Sequence, residues 1–136
     1  MAKKRHRLEN PHYSEMERKL NEVGKGMCLA KWTQVTLQLQ TGHNHSCHHP
    51  RTHKINLKEI ARNPSALHNT QYKKLRRKEM LTGKRPVECD YCWNVEDNSD
   101  RFSDRTFKSN ESWSRPHFDE IVNQDWREDF NPRYVE

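Results

Sequence analysis

The chain has 136 residues, of which 31% are hydrophobic and 32% charged, and its mean hydropathy is −1.32. That leaves room for one domain with tails and too little apolar material for a large self-sufficient core, so a metal, disulfides or a partner is expected to help hold it. No run approaches the roughly 20 apolar residues of a membrane span, and the net charge of +6 is polarised. Residues 70–86 hold seven Lys/Arg against Glu79 alone, while residues 95–136 hold eleven Asp/Glu against six Lys/Arg. The basic run permits a nucleic-acid surface, but it equally permits the acidic tail to fold back on it.

In chain order, residues 1–13 are basic and polar and predict a flexible start. Ser14 reads as an N-cap of a short helix, with Glu15 and Glu17 in its first turn, Met16, Leu20 and Val23 on one face, and Gly24 and Gly26 at its end. From Trp32 the period changes to two. Val35, Leu37 and Leu39 alternate with Thr36, Gln38 and Gln40, Thr41-Gly42 turns the chain, and His43 to His48 returns as a second arm carrying Cys47. Asn56 caps a helix with Leu57, Ile60 and Ala61 on one face, stopped by Asn63-Pro64. A basic helix begins near Thr70, with Tyr72, Leu75 and Met80 as its apolar arc, Gly83 at its cap and Pro86 barring continuation. Val87 to Cys92 reads as a loop, and after Trp93 the chain is polar to about residue 115. A short helix follows Ser114-Arg115-Pro116, with Phe118, Ile121 and Val122 apolar, and Asn131 to Glu136 resembles the opening of a strand. The expected fold class is α+β: a small metal-centred module, a β-hairpin with three or four short helices.

Cys28, Cys47, Cys89 and Cys92 are all the thiols of the chain. No apolar signal segment follows the basic first residues, so a reducing cytoplasm is expected, where Cys-x2-Cys favours metal or redox chemistry over disulfides. Four soft thiolates suit either zinc or an iron–sulfur cluster. The hairpin is what can bring Cys28 and Cys47 together. His43, His45, His48, His49 and His53 crowd the same region, with His45 and His48 the candidate additional ligands. Trp32 and Trp93 each follow a cysteine closely and suit shielding of a metal from water. Trp113 and Trp126, like the other two, could instead stack bases. No Ser-His-Asp order, paired carboxylates or Gly-rich phosphate loop points to hydrolase chemistry.

The spacing Cys28-x13-Gly42-x4-Cys47, a gap holding a helix, then Cys89-x2-Cys92 resembles the auxiliary-cluster region of radical S-adenosylmethionine proteins of the twitch and SPASM group. The run Met80-Leu81-Thr82-Gly83-Lys84-Arg85-Pro86-Val87-Glu88-Cys89-Asp90-Tyr91-Cys92-Trp93 is similar to phage-encoded members in which this module precedes the catalytic barrel. The resemblance implies a 4Fe-4S cluster on Cys28, Cys47, Cys89 and Cys92. It divides the chain into a basic N-terminus with a short helix (1–26), the four-cysteine module (27–97), and a polar linker with a short helix leading to a missing barrel strand (98–136). The Cys-x3-Cys-x2-Cys loop of the catalytic cluster is absent, and Arg85 stands where a further cysteine would create it. The implied chain is a fragment or split subunit that does not itself cleave S-adenosylmethionine. Its expected partner is the missing barrel, in cis or as a separate chain, acting on a peptide or small-molecule substrate. The alternative is a zinc-stabilised nucleic-acid-binding module.

Overall fold

In the computed structural model, which describes residues 11–136, the chain enters as helix α1 (Pro11–Val23). The helix starts at Pro11 rather than Ser14, because proline's fixed φ and missing N–H suit a first helical turn. Residues 1–10 of the basic start lie outside the described residues. Met16 and Leu20 are buried as expected. The end of α1 is set by close approach: a Cβ on Gly26 would lie 1.9 Å from the Lys84 carbonyl oxygen.

Helix α2 (Ala30–Thr33) leads into β1 (Gln34–Gln38), which pairs antiparallel with β2 (His43–His45) in the register Thr36↔His45 and Gln38↔His43. Gly42 makes the turn with φ at 71°, a conformation open to glycine at no Cβ cost. The returning strand is shorter than expected, since residues 46–50 leave it as bends, so Cys47 sits in a loop and not on the strand. The apolar alternation also runs out: Val35 is buried but Leu39 is exposed. β3 (His53–Lys54) pairs antiparallel with β2, and β4 (Tyr134–Val135) pairs parallel with β1, so the sheet order is β3-β2-β1-β4. The terminal segment expected to open a strand is therefore the edge of this module's own sheet.

Asn56 caps α3 (Leu57–Arg62) by accepting the Lys58 N–H at 2.8 Å, and Thr70 caps α4 (Gln71–Leu81) by accepting the Lys73 N–H at 3.0 Å. Both caps fall where the residue types place them. The faces do not. No residue of α3 is buried and Leu57 is exposed. On α4 the inward face is Lys73, Arg77 and Met80, with Tyr72 and Leu75 at the surface. These side chains go inward because they meet polar groups that an apolar side chain would leave unsatisfied, Lys73 the His68 Nδ1 at 3.1 Å. Arg77 donates to the Lys31 carbonyl (3.0 Å) and to Asn69 Oδ1 (2.7 Å).

The stretch expected to be a loop is largely helical. A 3-10 turn (Val87–Cys89) runs into α5 (Asp90–Asn98), and α6 (Asp104–Ser109) follows; another 3-10 turn at Arg115–His117 opens α7 (Phe118–Asn123) as Pro116 suggested. The described residues thus form a small α+β fold with seven α-helices, more than the three or four expected, and a four-stranded mixed sheet. One core joins Leu20, Met27, Trp32, Met80, Trp93, Ile121 and Phe130, drawing on the whole described length. No helix among the described residues is long and apolar enough to cross a membrane.

Candidate metal centre

The four cysteines come from three separate places. Cys28 lies two residues before α2, Cys47 in the bend after β2, and Cys89 and Cys92 at the start of α5. Cys89 is the residue before the first turn and Cys92 is three further on, a spacing that puts both on one face of a helix. The result is convergence: all four line one interior cavity of about 20 Å3, closed further by Met80 and Trp93. None of the four forms a disulfide. Trp93 lines the cavity, anchored by a 2.7 Å bond from its indole N–H to the Pro86 carbonyl. Trp32 is buried in the same core but not in the cavity wall.

Groups that favour the thiolate lie near each sulfur. The Ser109 hydroxyl donates to Cys28 Sγ at 3.8 Å, whose own S–H meets the Arg105 carbonyl at 3.9 Å, and the Ala30 and His49 backbone N–H groups lie near Cys28 and Cys47. The Lys31 ammonium lies near Cys89 and the Arg105 backbone N–H near Cys92, while the Ser103 hydroxyl donates to Glu96. Donors at sulfur favour the thiolate over the thiol. Burial opposes them and prevails while the thiols are protonated, pushing Cys47 and Cys92 up to about 12, Cys89 up to about 11, and Cys28 in the same direction. Buried thiols of this kind are inert until a cation displaces their protons.

Two buried ion pairs turn their positive ends to the cavity. Lys31 and Arg105 belong to its wall, whereas their carboxylate partners Glu88 and Glu96 do not. The Lys31 ammonium lies 2.6 Å from Glu88. Arg105 donates to both Glu96 oxygens (2.8 and 2.9 Å), to the Met27 carbonyl (3.1 Å) and to Asn21 (2.8 Å). A dication ligated by four thiolates carries a net −2, and this is the sign of charge the wall is built to receive. Neither cation was apparent in the sequence, nor were Ser103 and Ser109; only the placement of Lys31 three residues after Cys28 hinted at a shared site.

The histidines disperse. His43 Nδ1 pairs with Thr52 Oγ1 (2.9 Å), His45 Nδ1 with the Pro50 carbonyl (3.0 Å) and His53 Nε2 with Thr70 Oγ1 (2.7 Å). His45, one of the two expected ligands, holds the loop through Nδ1 and lies outside the wall of the cysteine cavity. Among the described residues, the one group of metal-binding side chains whose ligand atoms all lie within 4.8 Å of one another is His48, His49 and Asp104. No three of the cysteine sulfurs lie that close to one another.

Much of the basic run is used internally. Lys73 and Arg77 are buried, Lys74 pairs with Asp129 at 2.7 Å and Arg85 with Asp97 at 2.9 Å. Trp113 stacks on Tyr134, and Trp126 lies between Lys78 and Arg127. Compared with protein families, curated proteins and solved structures, the chain matches none.

Proposed function

We propose that this chain is an iron–sulfur module similar to the auxiliary-cluster region of twitch and SPASM radical S-adenosylmethionine proteins, with Cys28, Cys47, Cys89 and Cys92 holding a 4Fe-4S cluster. The observation that carries the reading is the convergence of every thiol in the chain, from three separated stretches, on one interior cavity whose wall also holds Lys31 and Arg105. Zinc is the rival for the same four thiolates, and the Cys28-x13-Gly42-x4-Cys47 and Cys89-x2-Cys92 spacing shared with the resembled module favours the cluster.

Such a cluster supplies electron transfer or a positioning contact for a substrate. The chain's own residues ligate it, hold the thiolates with N–H and O–H donors, and keep water out with Met80 and Trp93. Without a Cys-x3-Cys-x2-Cys loop, cleavage of S-adenosylmethionine is assigned to a barrel in cis or as a separate chain, acting on a peptide or small molecule.

Anaerobic reconstitution with iron and sulfide tests the reading. The expected product carries about four irons per chain and a broad absorbance near about 400 nm that bleaches on reduction, and Cys89→Ser loses most of it. A colourless protein holding one tight zinc would overturn it.

A further inference from the structure

His48 and His49 are the histidines of the return loop whose rings leave that loop to meet another element. Both imidazoles reach Asp104, the first residue of α6. His48 Nε2 lies 3.9 Å from Asp104 Oδ2, and His49 Nε2 is hydrogen-bonded to the same oxygen. The His49 ring is held in place by Tyr91, stacked at 3.8 Å and 9°. His48 is more than half exposed, its side chain at 57%, so one flank of the group faces solvent.

Two imidazoles and one carboxylate are a donor set of a different kind from the thiolates. They suit a divalent transition metal held by three protein ligands with positions left for water or a further ligand. His49 and Asp104 also border the thiolate cavity, so this group stands at its rim. We propose that His48, His49 and Asp104 form a second, mononuclear metal site for a divalent cation of the zinc class, open to solvent beside the four-cysteine centre. The two sites share a loop: His49 offers its backbone N–H to Cys47 and its ring to the second site.

Cobalt(II) is the probe, because thiolate ligation adds sulfur-to-metal charge-transfer bands in the near ultraviolet while imidazole and carboxylate ligation adds ligand-field bands alone. Titrated into the full, reduced, metal-free chain, cobalt is expected to fill two sites, one with charge-transfer bands and one without. His48→Ala and Asp104→Asn should weaken the second by at least about tenfold and leave the first in place, and Cys89→Ser should alter only the bands of the first site. His48 is exposed enough for its replacement to leave the fold intact, which far-ultraviolet circular dichroism checks. The proposal is overturned if both variants titrate like the parent chain, or if the parent takes up no cobalt beyond the thiolate-ligated ion. Because the two sites have separate signatures, the outcome does not depend on whether the cysteines hold a cluster or zinc.

Discussion

Lys31 is lysine in a place where the residue type alone would predict solvent. Its side chain is 3% exposed and that of Glu88 8%. Burial works against its charge, but Cys89 and Glu88 outweigh it and hold the ammonium above its ordinary range. Replacing one partner strands the other, so Lys31→Met should cost about 3–5 kcal/mol, with much of that recovered in Lys31→Met/Glu88→Leu. Urea unfolding of both variants measures this, and equal loss in the single and double variants would contradict it. Two histidines give the opposite sign of charge effect. Burial, then the charges of Lys73 and Arg77, drive His68 down to about 2; burial and Lys73 drive His53 to about 4. Both stay neutral in the fold, while the unfolded chain takes up a proton on each below about 6.5. Stability is therefore lost as pH falls from about 6.5, His68 alone contributing about 1.4 kcal/mol per pH unit. Denaturant midpoints of the metal-free, reduced chain between pH 7 and 4.5 should fall accordingly, and a flat profile would refute the assignment.

At the scale of elements, what aligns the cysteines is the seam between the end of α1 and the turn after α4. Gly24 and Gly26 abut the backbone of Gly83 to Arg85, so the chain reaches Cys28 and Cys89 from one docked crossing. Gly26→Ala would drive a Cβ into the Lys84 carbonyl, 1.9 Å away, and should cost at least about 2 kcal/mol while lowering iron uptake. Gly42→Ala meets nothing within 4 Å and pays only for its positive φ, about 1–2 kcal/mol. Urea midpoints and iron content of the two variants decide the matter, and an effect at Gly42 equal to that at Gly26 would argue against the seam. The elements themselves were unevenly legible. Asn56, Thr70, Gly42 and Pro116 mark the helix and turn boundaries they were read to mark, because caps and turns are satisfied by residues a few positions away. Helices α5 and α6 are not legible in the sequence: at 9 and 6 residues they are short, and tertiary contacts such as those of Arg105 hold them in place.

For the molecule as a whole, the thinness of the apolar core means that a metal or cluster held by the four thiols would be a structural member too. A ligand that binds only the folded chain stabilises it by about 4 kcal/mol at a thousand times its dissociation constant. Stripping the reconstituted protein with a chelator should therefore lower its urea midpoint and speed proteolysis of the loop around Cys47; matching midpoints with and without the centre would deny the coupling. The sequence by itself determined the four thiols, the hairpin, the caps and the α+β class, since these depend on residue type and on neighbours within a turn. The tertiary structure decided that all four thiols share one cavity, that Lys31 and Arg105 present their charges to it, that Lys73 and Arg77 face inward, and that His48 and His49 meet Asp104. These are long-range pairings, Lys31 with Glu88 and His49 with Asp104 among them, and long-range contacts follow from how elements pack, which no local pattern of residues encodes.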